Sequence, residues 1–310
     1  NNIESNIKLQ LSQTFLDENF PGYKVSKQNE VLPLKAIDSI AYNCQIESKT
    51  NPSDKRMFEL GIYLTPLFVD KQENIYTKTV QISPRNIFYN CTNHTVELKQ
   101  ADTEAVQVVQ PNTRAPYWWS SASKDKKLQV KIVDKNSKWS NRFDAKILGS
   151  IPMSIIGEDG KPMCFYYEVK IDSAVEFTYF KEMVPTDPYF AFRNESNIFH
   201  VTAWQKGTEA ELQQEIPQDG EIPFAWIVPD GKDGKKVAVF KLTSPGNPDH
   251  LQEIDLSKVN THERIKIGNQ YVDIGVTLRK TTKLVTIRDI QNLRQEESKE
   301  KKQENLVPKN

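Results

Sequence analysis

Asn90-Cys91-Thr92-Asn93, an alternating run through Val96 and Leu98 to Gln100, then Pro111 and Pro116-Tyr117-Trp118-Trp119: this stretch is written twice in the chain. The second statement is Asn194-Glu195-Ser196-Asn197, then Val201 and Trp204 to Gln205, then Pro217 and Pro223-Phe224-Ala225-Trp226. The landmarks lie 194 − 90 = 104, 205 − 100 = 105, 217 − 111 = 106 and 226 − 119 = 107 residues apart, a slow drift of the kind loop insertions produce. Landmarks of matching type, in fixed order and at nearly constant spacing, identify tandem copies of one module.

The repeat extends outward. Lys127-Leu128-Gln129-Val130-Lys131-Ile132 matches Lys236-Val237-Ala238-Val239-Phe240-Lys241, and Phe143-Asp144 matches Ile254-Asp255. A partial copy precedes both, with Ile7 to Leu11 in the place of Leu128 to Ile132 and Phe58 to Pro84 in the place of Phe165 to Pro188. Each full copy closes on a long pair of alternating segments. Phe165, Tyr167, Val169 and Ile171 are expected to face Val175, Phe177 and Tyr179, and Val272, Ile274, Val276 and Leu278 to face Val285 and Ile287. Alternation of period two over seven or eight residues means strands with one buried and one wet face. Asp159-Gly160, Asp230-Gly231 and Asp233-Gly234 are hairpin-turn dipeptides between such runs.

The expected fold class is therefore all-β: a tandem array of β-sandwich repeats of about 100 residues each, with a short charged C-terminal tail. The expected divisions are 1–83 (the C-terminal part of a first repeat), 84–187, 188–290, and 291–310 as a charged helical or disordered linker. Ile7 to Leu11 is the one strand expected before Gly22, and helical patterning is nearly absent before the tail. A chain that starts at Asn1 partway through a module reads as a piece of a larger protein.

Composition narrows the function. At 310 residues several cores are expected. Hydrophobic content is low at 37%, but 10% aromatics argue against disorder. Lys+Arg and Asp+Glu balance at 41 each, which gives no electrostatic footprint for nucleic acid. No apolar run approaches a membrane span, and no secretory signal opens the chain. Cys44, Cys91 and Cys164 are odd in number and widely spaced, so a reducing compartment is the simpler reading. In that compartment the glycosylation-like triplets at Asn90, Asn93 and Asn194 carry no meaning.

No catalytic or metal constellation emerges. The Gly-Lys segments at 157–161 and 231–235 lack the spacing and the hydroxyl residue of a phosphate loop. The four histidines are scattered, without a metal-clamping spacing. Asp134-Lys135-Asn136-Ser137-Lys138 has Lys at the third ligand position of a calcium loop and lacks its Gly. The expectation is a protein without metal or cofactor that is not an enzyme. The candidate residues are the repeat landmarks themselves: Asn90, Asn194, Trp119 and Trp226. Asn bonds its own backbone two residues on and tolerates left-handed φ, so Asn90 and Asn194 fit a pinned turn. Trp119 and Trp226 fit a core-closing role, and Pro111, Pro116, Pro217 and Pro223 keep their segments off the ladder interior. The alternative is that Asn and Trp border a groove or open edge that accepts a partner strand.

At these residues the chain resembles a known family. Ile87-Phe88-Tyr89-Asn90-Cys91-Thr92 with Gln100 and Pro116-Tyr117-Trp118-Trp119, and more closely Phe192-Arg193-Asn194-Glu195-Ser196-Asn197 with Gln205 and Pro223-Phe224-Ala225-Trp226, are similar to the adaptor-binding repeats of the vacuolar protein sorting thirteen proteins. Ile254-Asp255-Leu256 completes the match, and the same kind of region is also called a SHORT-ROOT-binding-type domain. The resemblance covers roughly residues 1–290. It implies a segment of a bridge-like lipid-transfer protein, cytoplasmic and peripheral at organelle membrane contact sites. It also implies adaptor partners carrying Pro-x-Pro motifs, membranes reached indirectly through those adaptors, and the rest of the same large chain. The family's repeat Asn maps onto Asn90 and Asn194; Cys91 and Glu195 depart from its flanking pattern and leave partner preference open. The rivals are a structural spacer of β repeats and a carbohydrate-active β-sandwich enzyme, which would need two carboxyls flanking a cleft.

Overall fold

The computed structural model describes residues 6–9, 11–26, 31–33, 39–66, 78–208, 212–229 and 236–290. The expected 291–310 linker and the two turns at Asp230-Gly231 and Asp233-Gly234 lie outside these residues. Nearly all of the regular structure described is strand. Among the described residues no helix is long and apolar enough to cross a membrane.

The chain divides into two compact units, residues 1–151 with 166–181, and residues 152–165 with 182–310. The first begins with β1 (Asn6–Lys8), α1 (Gln13–Asn19), β2 (Tyr23–Val25), β3 (Val31–Pro33), β4 (Ser39–Ser48), β5 (Lys55–Pro66) and β6 (Lys78–Pro84). β1 pairs with β3, and β2-β4-β5-β6 form an antiparallel sheet. The sequence expectation fails here. Only Asn6–Lys8 of the Ile7 to Leu11 segment is strand, and α1 follows it. Ser12 starts the helix by accepting a bond from Phe15 N at 3.1 Å. Its single buried residue, Leu16, packs with Phe20, Tyr23 and Ile46. A seven-residue helix with one buried side chain has no stripe for a periodicity reading to find.

Next come β7 (Asn86–Asn90), β8 (Val96–Gln100), β9 (Val106–Val109), β10 (Thr113–Pro116), β11 (Leu128–Ile132), β12 (Gly149–Ile156), β13 (Pro162–Asp172) and β14 (Val175–Glu182). They form a five-stranded sheet, β10-β7-β14-β13-β12, and a three-stranded sheet, β11-β8-β9. The order then recurs. β15 (Phe190–Glu195), β16 (His200–Gln205), β17 (Gln214–Ile216), β18 (Glu221–Phe224), β19 (Val237–Thr243), β20 (His250–Asp255), β21 (Thr261–Ile267), β22 (Gln270–Arg279) and β23 (Thr282–Asp289) give β18-β15-β23-β22-β21 and β17-β16-β19-β20. In both copies the first strand pairs in parallel with the last, β7 with β14 and β15 with β23. β7 and β15 were missed as strands: Asn90 ends β7 instead of opening a strand.

The copies also share their backbone exceptions. Positive φ occurs at Asp102 and Gly207, Asn112 and Asp219, Gly149 and Asn260, Gly160 and Gly268, and Ser173 and Lys280. These pairs are separated by 207 − 102 = 105 to 260 − 149 = 111 residues, so the same turns sit at the same repeat positions. The copies differ at one edge. Where β20 pairs with β19, the edge of β11 is met by serine hydroxyls: Val130 N donates to Ser140 Oγ at 3.0 Å and Ile132 N to Ser137 Oγ at 2.8 Å.

Facing residues follow the alternation on β13, β22 and β23. Phe165, Tyr167 and Val169 are buried, as are Val272, Ile274, Val276, Val285 and Ile287. β14 corrects the expectation. Its buried residues are Glu176, Thr178 and Phe180, while Val175, Phe177 and Tyr179 lie on the opposite, half-exposed face. Hydrophobicity alone makes these three the inner set, but the parallel register with β7 puts Phe177 beside Ile87 and Tyr179 beside Tyr89, both outward. Ile171 and Leu278, at the ends of their strands, are exposed.

Candidate functional site

Two side-chain amides build the neighbourhood of the edge strand β9. Asn90, fully buried, accepts from Thr92 N at 3.0 Å and Thr92 Oγ1 at 2.7 Å through its Oδ1. Its Nδ2 donates to His94 O at 2.7 Å and shares its second hydrogen between Val109 O and Gln110 O, each at 3.1 Å. One residue thus ties the end of β7, the loop after it and the end of β9. Asn194 repeats the arrangement in the second unit, accepting from Ser196 N at 3.0 Å and donating to Phe199 O at 3.2 Å and Ile216 O at 3.5 Å. Both are satisfied by the chain's own backbone, as buried amides are expected to be.

Gln100 does the same for the segment after β10. Its Oε1 accepts from Ser121 N at 2.8 Å and its Nε2 donates to Ser121 O at 2.9 Å, so the amide mimics a strand partner. Gln205 pairs with Val228 in the same way, at 2.9 and 3.0 Å. In each copy the clamped residue follows the tryptophan by two. The two glutamines stand out in the sequence as repeat landmarks, but their clamping role does not.

The tryptophans lie in the interior, each 1% exposed. Trp119 exchanges backbone bonds with Met57 of β5, at 3.0 and 3.1 Å, and its Nε1 donates to Glu59 Oε2 at 2.9 Å. Glu59 also takes Asn86 Nδ2 at 2.8 Å and Lys126 Nζ at 2.5 Å. Burial alone would raise the Glu59 carboxyl, but the bonds from Lys126, Asn86 and Trp119 outweigh it and hold it below its ordinary value. Trp226 packs on Phe190 and Phe224, and its backbone O accepts from Ser154 N at 2.8 Å. Its Nε1 has no hydrogen-bond partner among the described residues.

Of the adjacent pair Trp118-Trp119, Trp118 is the one that reaches a surface. It stacks on Phe58 with centroids 5.8 Å apart and meets Phe20 edge-on at 5.4 Å. With Leu98, Gln100, Val106, Gln107 and Tyr117 it lines a small, open groove alongside β9. β9 is the outer strand of its sheet. Val106 is 46% exposed and Val108 52%, while Gln107 Nε2 reaches Pro116 O at 2.8 Å. Pro116 and Pro223 sit on the edge strands β10 and β18, where a missing N–H costs the ladder nothing. Burial pushes the Tyr117 phenol far above its ordinary value.

The four residues singled out from the sequence therefore do not meet at one place. Asn90 supports β9 from behind, Trp119 anchors the segment that carries Trp118, and Asn194 and Trp226 hold the corresponding places in the second unit. Trp118, Val106 and Val108 were not singled out; the doubled Trp118-Trp119 was the available signal. Among the described residues no group of three His, Cys, Asp or Glu side chains is placed to hold a metal ion. The arrangement offers an apolar edge and a groove, a geometry suited to holding an extended chain.

A family model described as vacuolar-sorting associated protein 13, adaptor binding domain, matches residues 18–233. Comparison with curated proteins gives no match.

Proposed function

The chain belongs to the family of the vacuolar-sorting associated protein 13 adaptor-binding domain, and from that premise we propose that its repeats dock adaptors through Pro-x-Pro peptides laid along the open edge of β9. An adaptor-binding role comes with the family. The peptide motif, the edge and the repeat limits 84–187 and 188–290 are our reading. So are the peripheral, cytoplasmic placement at organelle contact sites and the targeting of a lipid bridge by its adaptors.

The observation that carries the proposal is the outer strand β9, with Val106 and Val108 exposed and the Trp118 groove beside it. A Pro-x-Pro segment is extended by its fixed φ, and the residues beside its prolines still donate and accept along a strand edge. The groove supplies apolar surface for one ring. Asn90 contributes by fixing the end of β9, not by touching the peptide. A contact this short is expected to be weak, about micromolar, and effective through many adaptors on one membrane. The role asks for no catalytic group.

Titration of the full chain with a labelled Pro-x-Pro peptide tests the proposal. Replacing both prolines by Ala is expected to abolish binding, and Val108→Lys to weaken it by about tenfold or more without lowering the melting temperature. Binding that ignores the prolines, or that Val108→Lys leaves intact, would remove the β9 edge as the site. No selective binding by folded protein would leave the repeats as a spacer.

A further inference from the structure

The outward face of β14 gives the first unit a second surface that the β9 groove does not use. Tyr179 lies 5.7 Å from Tyr89 on β7 and 6.1 Å from Phe177, the latter pair stacked. Lys181 Nζ sits 5.4 Å from the Tyr179 ring and 5.5 Å from Tyr166, and Lys170 Nζ 5.5 Å from Tyr179. Both ammonium groups bond one carboxylate, Glu168, at 2.9 and 2.8 Å. One carboxylate against two cations leaves a positive charge over the rings. Arg114, opposite Tyr89 on the edge strand β10, adds another. The Lys170 side chain is 58% exposed.

The second copy provides an internal control. At the positions 193 − 89 = 104 and 284 − 177, 286 − 179 and 288 − 181 = 107 residues on stand Arg193, Leu284, Thr286 and Arg288. There too one carboxylate meets two cations, Arg193 and Arg288 both on Glu195 at 2.9 and 2.5 Å, so the copies differ in their rings and not in this charge arrangement. Leu284 and Thr286 are buried, at 9% and 7%, where Phe177 and Tyr179 are half-exposed. The fold therefore does not demand aromatic residues on this face. Of the two full copies, only this one carries half-exposed rings beside its cations.

We infer that the face formed by Tyr89, Tyr166, Phe177 and Tyr179 with Lys170 and Lys181 binds an acidic, proline-bearing stretch of a partner polypeptide. Proline rings in a polyproline II segment lie flat on aromatic side chains, and that conformation is already extended before binding. Acidic side chains between the prolines meet Lys170 and Arg114, which sets the required charge. The inference rests on the adaptor reading for the kind of partner, not for the surface: β9 would hold the Pro-x-Pro core and this face an acidic flank.

Two labelled probes separate the readings, each titrated into the full chain. A neutral Pro-x-Pro peptide reports on β9, and an acidic peptide whose prolines never stand two apart, such as repeated Pro-Pro-Glu-Glu, reports on this face. The acidic peptide is expected to bind, and to lose affinity about tenfold in Lys170→Glu and in Tyr179→Ala but not in Val108→Lys. Its binding is also expected to fade between about 0.1 and 1 M salt, where the screening length falls from about 10 to about 3 Å. Lys170 is exposed, so Lys170→Glu decides the matter even where Tyr179→Ala lowers the melting temperature. No binding of the acidic peptide, or equal binding to Lys170→Glu, overturns the inference whatever the neutral probe does. So does binding to phosphatidylserine vesicles, lost in the same variants, without binding to the peptide. A neutral probe that fails while the acidic one behaves as expected removes the β9 reading and leaves this face standing.

Discussion

Asn90 shows how much of a repeat one side chain can hold. Its two hydrogens serve three carbonyls and its oxygen serves Thr92 twice, from a side chain that is itself fully buried. Removing it leaves several buried backbone groups unpaired, so Asn90→Ala is expected to cost about 1–3 kcal/mol in denaturant unfolding. Asn90→Asp keeps the acceptor but turns a carboxylate toward the carbonyls of His94, Val109 and Gln110. It should be at least as destabilising at neutral pH, because the lost donor is joined by a buried charge. A variant pair that melts with the parent would take the asparagine out of the framework. Glu59 offers a second residue-scale test through pH. Its carboxyl is depressed in the folded state, so the unfolded chain takes up that proton more readily. The stabilisation is then complete above the ordinary value of 4.5 and disappears as pH falls through the folded pKa. Glu59→Gln keeps an acceptor for Trp119 and Asn86 but loses the Lys126 pair. Its unfolding free energy should be lower at neutral pH and fall less on acidification below about pH 4.5 than that of the parent.

At the scale of the element, β14 is the most instructive strand. Val175, Phe177 and Tyr179 alternate as an inner set would, yet Glu176, Thr178 and Phe180 are the ones enclosed. Glu176 is tolerated inside because Arg85 pairs with it. The inner and outer phenylalanines should therefore respond differently. Phe180→Ala is expected to cost about 3–5 kcal/mol, the range for deleting a fully packed aromatic side chain. Phe177→Ala should stay within about 1 kcal/mol. Equal losses in chemical denaturation would contradict the assigned face. A strand that puts Phe177 and Tyr179 on the outside while burying a threonine is also what makes the Tyr179 face a surface of interest.

At the scale of the whole molecule, the compact units do not coincide with the sequence period. Residues 152–165 belong by period with β7 to β14 and by packing with β15 to β23. The cause is the segment after β18: Ser154 N donates to Trp226 O at 2.8 Å and Ser154 Oγ to Ala225 O at 3.1 Å. A fragment spanning 188–310 lacks those donors. It should unfold at lower denaturant than one spanning 149–310, with tryptophan emission shifted to the red as Trp226 meets water. Identical unfolding of the two would show that the hairpin adds nothing to the second unit.

The sequence alone determined the strand content, the tandem period, and the places of Asn90, Asn194, Gln100, Gln205, Trp119 and Trp226 within it. It could do so because those features are local: period-two alternation, turn dipeptides and repeated landmarks leave their mark within a few residues. It missed α1, which buries one side chain, and it missed β7 and β15, whose parallel partners β14 and β23 lie nearly a whole repeat away. Only the tertiary structure decided which face of β14 is inner, because parity across a turn is fixed by the register with β7 and not by hydrophobicity. It also decided that Trp118, not Trp119, reaches the groove beside β9. Neighbouring residues on an extended segment point opposite ways, and the backbone exchange between Trp119 and Met57 chooses which of the two is turned inward.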